Sequence, residues 1–255
     1  MSPMAPRLVD THAHMEAFPR VSEVLEEARG VGVDRVVCVG GDLESSRVAL
    51  ELASLHGGLY PAIGLHPSRI READLGEVVE FIATHLGGCV ALGEVGLDYS
   101  YDFARSQAVR AQMREALGVL LGLAAEAGVP ASIHSRNAYG DALEAAGRAG
   151  VEAVFHWFDG PLWALEALLD QGFYVSASPA VEYGRAMRAN VERAPLERLL
   201  LETDSPVALR GLGRTSTPAD LPRVAAEVAR VKGLEVEEVA RVTTRNAERL
   251  FGLGG

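Results

Sequence analysis

The strongest constraint on the fold is a regular alternation between short β-rich runs and helical stretches. Eight runs have strand character, at 7–15, 34–41, 58–67, 89–98, 129–136, 151–158, 172–180 and 198–206. The stretches between them, such as 22–30 and 139–150, carry apolar residues at helical spacing and close on glycine, a common helix stop. Strands that alternate with helices pair in parallel through right-handed crossovers.

Eight such units within about 200 residues predict a (β/α)8 TIM barrel. A doubly wound open sheet alternates in the same way and is the rival fold. No GxGxxG motif follows the first strand, so the usual signature of a dinucleotide-binding sheet is missing. Two more helices are predicted near 218–231 and 235–251, and no linker or low-complexity tract interrupts the chain. We therefore expect a single α/β domain over 1–255, a barrel with an extra C-terminal helix.

Charge and composition limit the classes of partner. Of the 255 residues, 48% are hydrophobic and the formal net charge is −11, which argues against a broad basic face for nucleic acid. A nucleic-acid enzyme whose positive charge is local and supplied by metal ions remains compatible. The start of the chain has no signal-like segment, and Cys38 and Cys89 lie in apolar runs. A cytoplasmic monomer without membrane contact is the expectation.

Polar side chains gather where the predicted strands end. Buried parallel strands normally read as nearly continuous Val, Ile and Leu. The exceptions here are His12, His14, His66, Glu94, Asp98, His134, Arg136, His156, Glu202 and Asp204. Inward side chains at the carboxyl ends of barrel strands converge at the mouth, where active sites lie. One strand histidine alone is more often a core residue than a ligand, but agreement among several strand ends favours a shared site.

The opening DTHAH shows why that site should hold metal. Asp10, His12 and His14 alternate along one strand and therefore project to the same face. Neutral imidazoles with carboxylates suit Zn, Mn, Fe or Ni, and the carboxylates also admit Mg. Four histidines with two carboxylates exceed the needs of one ion, so we expect two divalent ions with Glu94 as a bridge. The only lysine, Lys232, lies in a late helix and cannot supply a bridging carboxylated lysine.

Three neighbouring residues each allow two interpretations. Asp10 either orients a ligating imidazole or is a buried structural carboxyl group paired to backbone. His66 either contacts substrate or closes its strand. Arg136 follows His134 by two residues on the same face and either clamps an anion, phosphate above all, or pairs with a strand-end acid.

The ordered motifs resemble the TatD family of metal-dependent deoxyribonucleases, within the amidohydrolase superfamily of barrels. DTHAH (10–14) matches the family's DTHxH, and GLHP (64–67), GEVGLDY (93–99) and HSR (134–136) match its next three signatures. HWFDG (156–160) resembles HCFSG, and LLLETDSP (199–206) matches LLxETDxP. The six motifs occur in the family's order over nearly the whole chain.

This resemblance implies a specific centre and reaction. A first metal ion would be held by His12, His14, Glu94 and Asp204, and a second by Glu94, His134 and His156. The implied activity is hydrolysis of DNA phosphodiester bonds, commonly 3′-to-5′, by two ions of Mg, Mn or Zn roughly 3.5–4 Å apart. Glu94 and Asp204 are the catalytic candidates, and Asp204 would also accept the proton of the attacking water. Arg136 and His66 are the candidates for substrate binding.

Several residues depart from the family pattern where substrate would lie. Trp157 replaces the family's Cys, Asp159 replaces its Ser, and the loop over 207–218 lacks the Asn of RNxP. The Trp157 ring could stack on a base or pack as core. Two other functions therefore stay open: a dimetal hydrolase of a small phosphoester or cyclic amide, and a non-catalytic scaffold with a vestigial site.

Overall fold

Eight parallel strands form one nearly closed barrel. The computed structural model describes residues 7–253. The strands are β1 (Leu8–Ala13), β2 (Val33–Val39), β3 (Leu59–Ile63), β4 (Ala91–Asp98), β5 (Ala131–Arg136), β6 (Ala153–Phe155), β7 (Tyr174–Ala177) and β8 (Leu199–Leu201). Each strand pairs with the next in order from β1 to β8. The expected barrel is therefore confirmed, and the open doubly wound sheet is excluded.

The last and first strands meet through the residues just beyond them. Ala13 and Ser205 form an isolated parallel bridge. The Asp204 amide donates to the His12 carbonyl at 2.9 Å, and the His14 amide donates to the Ser205 carbonyl at 2.7 Å. Closure of the barrel thus fixes three of the expected site residues relative to one another.

Nine α-helices occur in the described residues and cover the strands. They are α1 (Val21–Gly30), α2 (Leu43–Leu55), α3 (Leu75–His85), α4 (Gln107–Ala127), α5 (Tyr139–Ala149), α6 (Leu162–Asp170), α7 (Arg185–Arg193), α8 (Leu221–Lys232) and α9 (Val236–Phe251). The expected glycine stop is seen after α5, where Gly150 takes a left-handed conformation with φ 67°. Helix α9 is the additional C-terminal helix. None of the helices described is long and apolar enough to cross a membrane.

The core forms because inward and outward strand faces are both covered. Every residue of β1 is buried, as are those of β4, and apolar side chains such as Ile63, Leu92 and Phe155 are inaccessible to solvent. Burial on both faces is what makes parallel strands read as continuous apolar runs.

Six strands end two to five residues before the predicted runs do, and in two of them, β6 and β8, a left-handed residue follows the end of the strand. The run 151–158 yields only three strand residues because Trp157 adopts a left-handed backbone with φ 43°. The run 198–206 likewise stops at Leu201, and Asp204 is left-handed with φ 47°. Of the expected domain over 1–255, residues 1–6 and 254–255 lie outside the described part of the chain.

Candidate metal centre

The polar strand ends meet at the floor of one cavity at the carboxyl end of the barrel. The cavity has a volume of about 530 Å³, within the usual range for small-molecule sites. Its lining includes His14, His66, Glu94, His134, His156 and Asp204. His12 is completely buried beside them. The six residues expected to hold metal are therefore brought together.

Glu94 divides the histidines into two groups. Its Oε1 lies 3.1 Å from Nδ1 of His134 and 2.7 Å from Nε2 of His156. Its Oε2 lies 3.7 Å from Nε2 of His12 and 3.7 Å from Nε2 of His14. One carboxylate thus presents a different oxygen to each pair of rings.

A second carboxylate joins only one of these groups. Oδ1 of Asp204 lies 3.7 Å from Nε2 of His12 and 3.4 Å from Nε2 of His14. The left-handed backbone of Asp204 costs about 1–3 kcal/mol and is found chiefly where the surroundings enforce it. We call His12, His14 and Asp204 the β1–β8 side of the centre, and His134 and His156 the β5–β6 side.

The rings of the β5–β6 side are supported from behind by buried carboxyl groups. Nε2 of His134 lies 3.1 Å from Oδ2 of Asp98. Nδ1 of His156 lies 3.6 Å from Oε1 of Glu202. The two oxygens of Glu202 accept hydrogen bonds, Oε1 from the Trp157 amide and Oε2 from the Ser176 hydroxyl. These contacts direct the remaining nitrogen of each ring towards Glu94.

The rings of the β1–β8 side have a hydroxyl and a carbonyl behind them, together with the partly exposed Glu16 carboxylate, whose Oε1 lies 3.6 Å from Nδ1 of His14. Nδ1 of His12 lies 3.4 Å from the Ser132 hydroxyl. Nδ1 of His14 lies 3.2 Å from the Val39 carbonyl oxygen, which requires that this nitrogen carry the proton. Nε2 of His14 is therefore the ring nitrogen that faces the two carboxylates.

The electrostatics of the site favour charged carboxylates. Burial would raise the pKa of Glu94, but the facing His66 and His156 rings hold it well below its usual value. Burial opposes protonation of His14, yet its hydrogen bond to Asp204 raises the pKa of this ring well above the usual value. Such rings hold protons in place of a cation, and binding of a divalent ion would displace those protons.

The donor set fits divalent ions. Nε2 of His12, which faces Glu94 and Asp204, is buried and lacks a hydrogen-bond partner among residues 7–253. Three groups of donor atoms lie within 4.8 Å of one another: His12 and His14 with Asp204, His66 and Glu94 with His134, and His12 and His156 with Glu202. Imidazole and carboxylate donors at this density are typical of Zn, Mn or Fe sites, and the carboxylates also suit Mg.

His66 and Arg136 lie on the wall of the same cavity. Nδ1 of His66 accepts a hydrogen bond from the Ser68 amide at 3.1 Å. Its Nε2 therefore carries the proton of the neutral ring and lies 3.4 Å from Oε1 of Glu94. Burial lowers the pKa of His66 to about 4. Arg136 is exposed and forms none of the ion pairs found among the described residues, so the alternative of a pair with a strand-end acid is not realised.

Asp10 supports the backbone rather than an imidazole ring. Its Oδ1 accepts the Thr203 amide at 2.9 Å, and its Oδ2 lies 2.5 Å from the Thr203 hydroxyl. Oδ1 also accepts the His12 amide at 3.4 Å. Of the two interpretations, the buried structural carboxyl group is the one observed. Through Thr203 it fixes the segment that carries Asp204.

Sequence reasoning did not identify the contacts that three residues make with rings expected to ligate metal. Asp98 and Glu202 stand out as polar strand ends, but their partners depend on which strands are neighbours. Ser132 gives no signal, since a lone serine in a buried strand is common.

The close approach of β4 to β5 requires Gly96, where an added Cβ would lie 1.9 Å from the His134 carbonyl oxygen.

Comparisons with known proteins agree with this geometry. The family model described as TatD related DNase matches residues 9–252. The chain is 34% identical to YabD, a metal-dependent hydrolase of Bacillus subtilis, over 96% of this chain and 98% of that protein. It is 34% identical to the 3′-5′ ssDNA/RNA exonuclease TatD of Pantoea ananatis, over 91% and 93% of the two chains. The crystal structure of the TatD homologue YJJV from Escherichia coli superposes with a TM-score of 0.90 at 28% identity, over 97% and 99%.

Proposed function

The chain belongs to the TatD family of metal-dependent hydrolases, and we propose that it hydrolyses DNA phosphodiester bonds as a 3′-to-5′ exonuclease with two divalent ions. The proposal on substrate rests on relatives named for this activity, such as the exonuclease of Pantoea ananatis. The proposal on mechanism rests on the arrangement of the chain's own side chains around Glu94.

The observation that carries the proposal is the division of Glu94 between two sets of rings. Oε2 faces His12 and His14 at 3.7 Å each, and Oε1 faces His134 and His156 at 3.1 and 2.7 Å. A carboxylate placed in this way can bridge two ions. In the proposed arrangement Asp204 completes the first ligand set with His12 and His14.

These residues can organise an in-line hydrolysis. Divalent ions at the centre would lower the pKa of water and offset negative charge on the phosphoryl oxygens. Asp204 accepts one proton from the attacking water, whose oxygen forms a new bond to phosphorus. The bond from phosphorus to the 3′ oxygen breaks, and that oxygen takes a proton from solvent. The products are a nucleoside 5′-monophosphate and a strand shortened by one nucleotide.

Arg136 and His66 are placed to bind the phosphate. Two ions would carry a charge of +4, opposed by Glu94 and Asp204 within the ligand set and by Asp98 and Glu202 behind the rings. The carboxyl groups of Glu16, Asp42 and Asp159 also line the cavity, so the unpaired guanidinium of Arg136 supplies positive charge to a wall rich in acidic residues. The Nε2 proton of His66 can donate to a phosphoryl oxygen. Because these contacts are few, the affinity for DNA should depend only weakly on salt.

The test is trimming of a single-stranded oligonucleotide labelled at its 5′ end, so that the shortened strands remain visible. Metal-stripped protein would be supplied with Mg, Mn or Zn separately. Glu94→Gln would be compared with Glu126→Gln, which makes the same substitution at an exposed position of α4 outside the cavity lining. We expect stepwise shortening restored by metal in the wild type and in Glu126→Gln, and lost in Glu94→Gln.

Three other outcomes would change the proposed substrate, the proposed activity or the proposed role of Glu94. Turnover of a small chromogenic phosphoester without any DNA trimming would keep the centre but replace the substrate. Failure of the purified protein to bind any divalent ion would support a scaffold with a vestigial site. Equal trimming by Glu94→Gln would contradict the bridging role.

A further inference from the structure

Trp157 occupies an unusual backbone conformation next to the centre. It follows His156 directly and has φ 43°, in the left-handed region that bulky residues rarely adopt. This turn follows the end of β6, and because of it three consecutive side chains point in different directions. His156 points to Glu94, Trp157 lines the cavity, and Phe158 is buried against Tyr139.

Two buried polar side chains hold this conformation. The Trp157 amide donates to the Ser176 hydroxyl at 2.9 Å and to Oε1 of Glu202 at 2.8 Å. Ser176 and Glu202 are 1% and 0% exposed. Strained residues that persist with such support cluster at ligand clamps and active sites.

The ring of Trp157 is available to a ligand. The residue is partly buried and packs against the core, yet it also lines the cavity. None of the aromatic pairs formed within residues 7–253 includes Trp157. Arg136, at the end of the adjacent strand β5, lines the same cavity and is a candidate for binding phosphate.

We propose that Trp157 is the wall of a nucleobase subsite, on which the base of the terminal nucleotide stacks while its phosphate lies at the centre. The proposal deepens the function proposed above and rests on it for the nature of the substrate. A stacking surface accepts every base, because each base has a π-face. The subsite would therefore favour nucleotides over phosphates without a base, and it would show little preference for sequence.

The chain offers a matched fluorescence experiment, because it contains two tryptophans. Trp163→Phe leaves Trp157 as the only reporter, and Trp157→Phe leaves Trp163. Trp163 is 57% exposed and is not part of the cavity lining, so it serves as the control. Mg-loaded protein would be titrated with deoxyadenosine 5′-monophosphate and, separately, with deoxyribose 5-phosphate.

We expect the nucleotide to quench the Trp163→Phe protein and to leave Trp157→Phe unquenched. The nucleotide should bind about tenfold more tightly than the sugar phosphate, and Trp157→Leu should lose this preference while Trp157→Phe retains most of it. Metal content should be the same in all variants.

Equal affinity of the wild type for the two ligands would overturn the proposal, as would quenching of Trp163 alone. Neither readout requires hydrolysis, so the two proposals can fail separately. A protein that trims DNA but shows no dependence on the base would contradict only the subsite. A protein that trims no DNA but still prefers the nucleotide would retain the subsite and lose the exonuclease assignment.

Discussion

The β1–β8 side and the β5–β6 side of the centre hold their histidines with different chemistry. On the β1–β8 side the negative charge of Asp204 faces the nitrogens proposed to ligate, and behind the rings lie a hydroxyl, a carbonyl and the partly exposed Glu16 carboxylate. On the β5–β6 side the carboxyl groups of Asp98 and Glu202 stand behind the rings. Glu94 is shared between the two sides.

The two sides illustrate two ways in which a carboxylate can influence a metal site. A carboxylate within the ligand set contributes charge directly and can also exchange a proton with water. A carboxylate behind an imidazole fixes its tautomer and orientation and increases its basicity as a ligand. The two sides should therefore respond differently to equally small substitutions.

The largest of these effects is expected for Asp204→Asn on the β1–β8 side. The amide cannot accept the proton of the attacking water, and general base catalysis typically contributes about 10²–10⁴-fold. We expect kcat for DNA trimming to fall by about that factor while the binding of an ion to the β5–β6 side persists. Calorimetric titration of metal-stripped protein with Mn, together with steady-state kinetics, measures both quantities. Retention of full activity by Asp204→Asn would remove the residue from this role.

A smaller effect is expected for Asp98→Asn on the β5–β6 side. Loss of a carboxylate behind a ligating histidine typically costs about 10–100-fold in metal affinity or activity. The same titration should show weakened binding of one ion while the other retains its wild-type affinity. Simultaneous weakening of both ions would mean that the two sides are not separable in this way.

Ser132→Ala is the corresponding substitution behind His12. Its hydroxyl is neutral and 3.4 Å from the ring, and a neutral hydrogen bond contributes only about 0.5–1.5 kcal/mol. We expect metal affinity to change by no more than about tenfold, and less than in Asp98→Asn. If Ser132→Ala weakened binding more than Asp98→Asn, the charge behind the ring could not explain the contrast.

The smallest effect concerns the stability of the metal-free protein as pH changes. Burial raises the pKa of Asp98, but hydrogen bonds from His134 and Ser100 outweigh burial and leave the pKa below 3.8. The stability that this carboxyl group contributes to the fold is therefore present above pH 3.8 and is lost on acidification. Burial opposes protonation of His134, yet Asp98 and Glu94 raise the pKa of this ring above 6.5. The stability that the protonated ring contributes to the fold is present below pH 6.5 and is lost as pH rises through the raised pKa. The pair should therefore stabilise the fold most between about pH 3.8 and 6.5.

Urea unfolding of the metal-free wild type and variants tests this window. Asp98→Asn should lose about 1–3 kcal/mol within it, and the loss should shrink towards either end. Ser132→Ala should show a smaller loss that does not vary with pH. A loss in Asp98→Asn that is constant from acid to alkaline pH would show that shape, rather than charge, is responsible.

Much of the fold could be predicted because barrel strands carry a local signal. Seven strands fall within the predicted runs and β2 begins one residue before its run, since burial on both faces demands continuous apolar sequence. The early ends of β6 and β8 could not be predicted. They depend on left-handed conformations at Trp157 and Asp204, whereas the turn signals of the sequence, Asp159-Gly160 and Ser205-Pro206, come four residues after each strand has ended.

The composition of the centre was predictable for a related reason. Polar residues are conspicuous at the ends of apolar strands, and barrel geometry brings those ends together. The contacts behind the rings and behind the segment that carries Asp204 were not predictable, because they join distant parts of the chain. Asp10 binds Thr203, and Glu202 reaches both His156 and the Trp157 amide. Such partners follow from strand order and depth within the barrel rather than from spacing along the chain.

The central claim is that Glu94 joins the two sides into one two-ion centre. Electron paramagnetic resonance of the Mn-loaded protein tests it directly, because ions bridged by a carboxylate at roughly 3.5–4 Å are magnetically coupled. The account predicts a coupled pair in the wild type at two equivalents of Mn and only uncoupled ions in Glu94→Gln. A wild-type protein that shows isolated Mn at every loading would contradict it.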